Sequence, residues 1–253
     1  MYFETHAHYD DKRYNKDRGE VLTSLAENGV TRVVNVGADM KSSAASVALA
    51  GKHDFIYAAV GIHPHEVKAM NENDLVNLEK YCANPRVVAV GEIGLDFHYD
   101  YSPRDVQEYW FKKQLELVKK VALPVIIHSR EADQRTFDII AKSGIRDGVI
   151  HCYSGSAEMA LEYARMGFYI GIGGVITFDK TRRLANVANV LSMNSIVIET
   201  DCPYMSPEPK RGERNDSCNL KYIVEKLAEI RNMTHEEVAE KTFGNAERLY
   251  RMD

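Results

Sequence analysis

Six side chains able to bind a divalent cation stand in short apolar runs spread along the chain: His6, His8, Glu92, His128, His151 and Asp201. His6 and His8 are separated by one residue in Glu4-Thr-His-Ala-His8. In an extended strand, residues i and i+2 face the same side, so both imidazoles project together. The other four each sit at or near the end of a β-branched run. Four imidazoles and two carboxylates gathered at one point are expensive to bury without a partner. One or two divalent cations remove that cost. A nitrogen and oxygen set without sulfur suits Zn²⁺, Mn²⁺, Co²⁺ or Ni²⁺ better than Ca²⁺. Mg²⁺ prefers oxygen and is less natural beside four histidines. Two ions about 3.5–4 Å apart form the usual clamp for phosphoryl chemistry and generate hydroxide near neutral pH.

Positioning such residues requires strands whose ends meet. Eight runs read as strands: Tyr2–Thr5, Arg32–Val36, Phe55–Val60, Val87–Glu92, Pro124–His128, Gly148–His151, Phe168–Ile172 and Ile196–Thr200. Several are apolar almost throughout, as buried parallel strands are. Amphipathic stretches follow them: Lys16–Asn28, Lys41–Lys52, Asn73–Cys82, Pro103–Val121, Glu131–Ser143, Ala157–Met166, Thr181–Leu191, Asn219–Arg231 and Thr234–Arg251. Thr234 and Glu237 match a capping box at the start of the last one. Eight alternations in 253 residues predict a parallel α/β fold, a single-domain (β/α)₈ TIM-type barrel over 1–253, in preference to an open doubly wound sheet. The C-terminal ends of barrel strands face one mouth, so the six candidate ligands converge there. His6, His8 and Asp201, on strands one and eight, form one group. His128 and His151 form another, with Glu92 placed to bridge.

Composition excludes several alternatives. Apolar residues make up 45% and charged residues 27% of the chain, with a net charge of -5. That balance argues against a protein that coats nucleic acid with a basic face. It leaves room for an enzyme that grips one or two phosphates, because bound cations supply local positive charge. The four cysteines form no CxxC pair and read as reduced thiols. Cys152 and Cys202 fall one residue out of phase with neighbouring ligands and are expected to point away from the metals. No signal peptide and no membrane span are expected, which leaves a cytoplasmic location by default. The stretch Pro203–Cys218 lacks any pattern, and a loop that long is expected to be functional or disordered.

Seven motifs together resemble the TatD family of metal-dependent deoxyribonucleases, nearly end to end. They are Glu4-Thr-His-Ala-His-Tyr-Asp10, Gly61-Ile-His-Pro-His65, Gly91-Glu-Ile-Gly-Leu-Asp96, Pro124-Val-Ile-Ile-His-Ser-Arg130, His151-Cys-Tyr-Ser-Gly155, Gly171-Ile-Gly-Gly174 and Glu199-Thr-Asp-Cys-Pro-Tyr204. The resemblance implies a hydrolase that cleaves DNA phosphodiester bonds as a 3′→5′ exonuclease, on single-stranded or frayed ends. It implies two divalent ions (Zn, Mn, Mg or Co). His6, His8, Glu92 and Asp201 would hold one, and Glu92, His128 and His151 the other. Asp201 would also orient the attacking water and act as general base. His63 and Arg130 match positions near the substrate phosphate, and Tyr153 and Ser154 match positions lining the mouth. One departure stands out: Glu4 occupies a place the family usually gives to Asp, and is expected to act behind the ligands. No obligate protein partner is implied.

Blander readings exist for individual residues. His63 could be a turn histidine, His65 could pack on its own turn, Arg130 could pair with a carboxylate, and Lys210, Arg211 and Arg214 could be a solvated charge run. Two other functions compete. One is an ester or amide hydrolase on the same metals, such as a D-aminoacyl-tRNA deacylase, since fold does not fix function. The other is a non-catalytic binding protein on a degenerate enzyme fold.

Overall fold

The computed structural model describes residues 1–178 and 182–252. Its strands are β1 (Tyr2–Ala7), β2 (Val30–Val36), β3 (Ile56–Val60), β4 (Val87–Asp96), β5 (Val125–Arg130), β6 (Gly148–Ile150), β7 (Phe168–Ile172) and β8 (Ile196–Ile198). They form one eight-stranded sheet in the order β1 to β8. The helices are α1 (Arg18–Glu27), α2 (Met40–Ala50), α3 (Glu72–Cys82), α4 (Arg104–Val121), α5 (Asp133–Ser143), α6 (Ala157–Arg165), α7 (Arg182–Val190), α8 (Leu220–Arg231) and α9 (His235–Tyr250). The fold class is the (β/α)₈ barrel that the alternation predicts. Thr181, the expected first residue of α7, lies outside the described residues. No helix among the described residues is long and apolar enough to cross a membrane.

Two compact units make up the chain, one of residues 1–34 with 152–253 and the other of residues 35–151. In the first unit, β1 runs beside the β8 segment. The Thr5 hydroxyl donates to the Ile198 carbonyl at 3.0 Å, and Ala7 bridges Cys202 in parallel. Helix α9 covers both strands. Phe3 packs against Phe243 and Tyr250 with ring centroids 5.7 and 5.8 Å apart, and the Tyr250 hydroxyl donates to the Thr5 carbonyl at 2.9 Å. The expected capping box is present, with Thr234 accepting from the Glu237 amide and Glu237 accepting from the Thr234 amide.

In the second unit, β3, β4, β5 and β6 pair in parallel. Every residue of β4 is buried, which explains the apolar run Val87-Val-Ala-Val90 at its start. Helix α4 supplies Phe111, Leu115 and Val118 to the core, each buried side chain of this kind stabilising by roughly 1.5–3 kcal/mol. The same helix carries two buried glutamines that close off strand ends. Gln114 exchanges a pair of bonds with the Ile62 backbone at 2.9 and 3.0 Å, and Gln107 accepts from the Asp96 amide at 2.9 Å. Polar residues on a helix face that reads as core are thereby satisfied.

The strands differ from expectation where it matters most. β4 continues four residues past Glu92, to Asp96, and β5 continues past His128 to Arg130. Gly94 permits the extension. It is opposite His128 in the register, its φ is +151°, and an added Cβ would lie 1.9 Å from the His128 carbonyl oxygen. Only glycine can take that position. β8, conversely, stops at Ile198, so Asp201 stands in the following turn with φ +54°. Aspartate tolerates that left-handed conformation better than most residues.

Candidate metal centre

In the first unit, His6, His8 and Asp201 come together as expected. His6 Nε2 and His8 Nε2 are 3.2 Å apart, and Asp201 Oδ1 lies 3.3 Å from His8 Nε2 and 3.9 Å from His6 Nε2. The point equidistant from these three atoms is about 2.0 Å from each, the length of a zinc–nitrogen or zinc–oxygen bond. Backbone bonds hold the trio: the Asp201 amide donates to the His6 carbonyl at 3.0 Å and the His8 amide to the Cys202 carbonyl at 2.8 Å.

Glu4 stands behind this trio rather than in it. It is fully buried, and its carboxylate accepts from the His6 amide at 3.1 Å, the Thr200 amide at 2.9 Å and the Thr200 hydroxyl at 2.6 Å. Burial pushes its pKa up to about 8, against the pull of those hydrogen bonds. Glu4 therefore ties the strand carrying His6 and His8 to the turn carrying Asp201. Glu199, two residues before Asp201, is also buried and accepts from the Cys152 amide. Its ligating oxygen lies within 4.8 Å of a His6 ring nitrogen. Sequence reasoning left Glu199 without a role, although the i, i+2 spacing from Asp201 was a usable signal. Gly171 makes room for it, since a Cβ there would lie 2.6 Å from Glu199 Oε2.

In the second unit, Glu92, His128 and His151 converge. Glu92 Oε1 lies 2.8 Å from His128 Nδ1 and 2.6 Å from His151 Nε2, and those two nitrogens are 3.3 Å apart. The point equidistant from the three is about 1.7 Å from each, within reach of a cation about 2.1 Å from its ligands. Burial would raise the Glu92 pKa, but the His151, His63 and His128 rings around it hold it well below the carboxylate range. Glu92 is therefore an anion, as a metal ligand must be.

Asp96 orients this group and went unrecognised in the sequence. It shares a face of β4 with Glu92 by alternation and is 1% exposed. Its Oδ2 lies 3.1 Å from His128 Nε2 and 2.9 Å from His65 Nε2, and its Oδ1 accepts the amides of His98 and Tyr99, each at 3.0 Å. Burial alone would raise its pKa, but the bonds from His128, His65 and the Tyr99 amide hold it far below the usual carboxylate range. A carboxylate on Nε2 leaves Nδ1 as the coordinating nitrogen of His128.

His63 is near the ligands but set up differently. Its Nδ1 accepts from the His65 amide at 3.2 Å, which puts the proton on Nε2, 3.5 Å from Glu92 Oε1. Burial and the neighbouring His128 ring lower its pKa well below 6.5, so it is neutral. A protonated Nε2 makes His63 a hydrogen-bond donor in this arrangement, although its ring also lies within 4.8 Å of the ligand atoms of Glu92 and His128. Arg130 is exposed, and its guanidinium lies 4.8 Å over the Tyr99 ring. Among the described residues no carboxylate pairs with it. Tyr153 is buried with its hydroxyl donating to the Ser156 carbonyl at 2.7 Å, while Ser154 is exposed. Burial pushes the Cys202 thiol up to about 12, which fits a packing residue. Arg214 is held by Asp17 at 2.6 Å and by the Arg13 carbonyl at 2.7 Å, so the blander reading fits that residue of the charge run.

A (β/α)₈ barrel bearing two histidine–carboxylate trios defines a metal-dependent hydrolase. Comparison with known proteins places it further. Residues 3–251 match the family model described as TatD related DNase, and the chain belongs to the TatD family. It is 40% identical to the uncharacterized metal-dependent hydrolase YabD of Bacillus subtilis, over the full length of both chains. It is 30% identical to the 3′-5′ ssDNA/RNA exonuclease TatD of Erwinia tasmaniensis, covering 99% of this chain and 100% of that one. The crystal structure of the TatD homolog YjjV from Escherichia coli K12 superposes with a TM-score of 0.94 at 30% identity, covering 99% and 98% of the two chains.

Proposed function

We propose that this chain is a two-metal nuclease that removes nucleotides from the 3′ ends of single-stranded DNA, with residues 1–253 acting as one cytoplasmic domain. The observation that carries the proposal is the pair of donor trios, each spaced for one divalent ion: His6, His8 and Asp201, and Glu92, His128 and His151. The Erwinia relative named an ssDNA/RNA exonuclease supports the choice of substrate. When bound, the ions supply an activated water and offset the charge that develops on the phosphate.

The chain's own groups do the rest. Hydrolysis joins a water oxygen to phosphorus and breaks the P–O3′ bond, releasing a 5′-nucleotide and a new 3′-hydroxyl. Asp201 orients the water and accepts its proton. The Nε2–H of neutral His63 donates to a phosphate oxygen. The Arg130 guanidinium offers a planar fork to the same phosphate. Tyr153 and Ser154 contribute to the wall of the substrate channel, Ser154 through its exposed hydroxyl.

A paired assay tests the substrate. Metal-loaded protein is given single-stranded DNA and, separately, an aminoacyl ester of tRNA. The proposal expects turnover of DNA and at most trace turnover of the ester. Preference for the ester would transfer the same metal site to the deacylase reading.

A further inference from the structure

The segment between β4 and α4 displays two large aromatic side chains that the hydrolytic chemistry leaves unused. Tyr99 is 45% exposed and Tyr101 is 57% exposed. Their rings are stacked, 5.2 Å between centroids and 11° from parallel. Arg130 covers Tyr99, so guanidinium, Tyr99 and Tyr101 form one column. Exposed aromatic surface of this kind is retained where a partner covers it.

The column is tied down. Asp96 accepts the His98 and Tyr99 amides. Lys68 Nζ donates to the Tyr101 carbonyl at 3.2 Å, and the Ser102 hydroxyl donates to the His65 carbonyl at 2.9 Å. His65 meets both tyrosines edge-on, with centroids 5.5 and 4.8 Å away. A preset stack loses little conformational entropy when a planar ligand adds to it.

The column also leads to the ligands. His65 and His63 are 4.3 Å apart between ring centroids, and His63 and His128 are 4.4 Å apart. Three ring-to-ring steps therefore join Tyr101 to a candidate ligand of the second trio. A flat π-surface with a cation in its column matches the faces of nucleobases, which stack without regard to sequence.

We infer that Tyr99 and Tyr101, backed by Arg130, form a stacking platform that holds a nucleobase near the scissile phosphate of a single-stranded substrate. The inference rests on the nuclease reading but is measured apart from it. Holoenzyme affinity is determined by fluorescence anisotropy for a labelled single strand with phosphorothioate 3′-terminal linkages. A matched strand lacks its last two bases. Cleavage of the ordinary phosphodiester strand is followed in parallel.

The platform predicts that wild type binds the base-bearing strand about tenfold or more tightly than the abasic one. Tyr101→Ala should erase most of that difference, and Tyr101→Phe should keep it. Equal affinities for the two strands, or a difference that survives Tyr99→Ala with Tyr101→Ala, overturns the platform even if cleavage is brisk. A base-dependent affinity lost in Tyr101→Ala, without cleavage by wild type, sustains the platform and overturns the nuclease reading. Absence of both binding and cleavage overturns the two together.

Discussion

Asp96 fixes His128 through Nε2 and so decides which nitrogen is offered to a metal. Such carboxylates behind ligating histidines are worth about 10–100-fold in metal affinity or activity. Asp96→Asn should weaken metal binding by that factor in a calorimetric titration, and an unchanged affinity would remove the role. Linkage gives the same carboxylate a pH signature. Its folded pKa is depressed, so its contribution to stability is complete above the ordinary value of 3.8 and is lost as pH falls below it. Wild type should therefore lose more stability than Asp96→Asn on acidification through that range. At His128 burial works against protonation, but the bonds to Asp96 and Glu92 prevail and raise its pKa above 6.5. Binding a cation must displace that proton, so metal affinity should fall as pH drops through the raised value. At this scale the sequence was informative about ligands and silent about what holds them. His6-x-His8 announces a shared face by spacing alone. Asp96 and Glu199 read as ordinary strand-end acids until the fold brings His128 against the first and the Cys152 amide against the second.

Strands and helices were legible to within a few residues because their periodicities differ, β4 as a buried run and α4 as a spaced apolar stripe. What the pattern could not show was how far β4 extends. Its last four residues include Gly94, which reads as a strand breaker, yet the close approach of the His128 carbonyl requires a residue without Cβ. Gly94→Ala should force β4 and β5 apart and displace His128. Its expected signature is a large loss of bound metal together with a lower unfolding temperature. Retention of both would show that the contact is easily relaxed. The cap of α9 was legible from Thr234 and Glu237 alone. Thr234→Ala should cost about 1 kcal/mol, read as a shift of roughly 2–4 °C in Tm, with metal binding untouched because the cap bonds run between Thr234 and Glu237 in the first turn of α9.

For the whole molecule, the barrel explains how His6 and Asp201, nearly two hundred residues apart in sequence, meet in one trio, since β1 runs beside the segment that follows β8. Net charge remains -5 even though the proposed substrate is a polyanion. Affinity for DNA must then come from bound cations and a few local groups such as Arg130, and not from a basic face. Chelation should lower Tm, and adding back metal at about 100 times its Kd should restore about 2.7 kcal/mol. A Tm indifferent to chelator would detach the two trios from metal binding.

The central claim is that these trios carry a nuclease. It is tested most directly by incubating Mn²⁺-loaded protein with a 5′-labelled single-stranded oligonucleotide beside Glu92→Ala, with metal content and folding of both verified. The account predicts a ladder of progressively shorter labelled products from wild type and an intact strand with Glu92→Ala. An intact strand with metal-loaded wild type, or equal cleavage by both proteins, would contradict it.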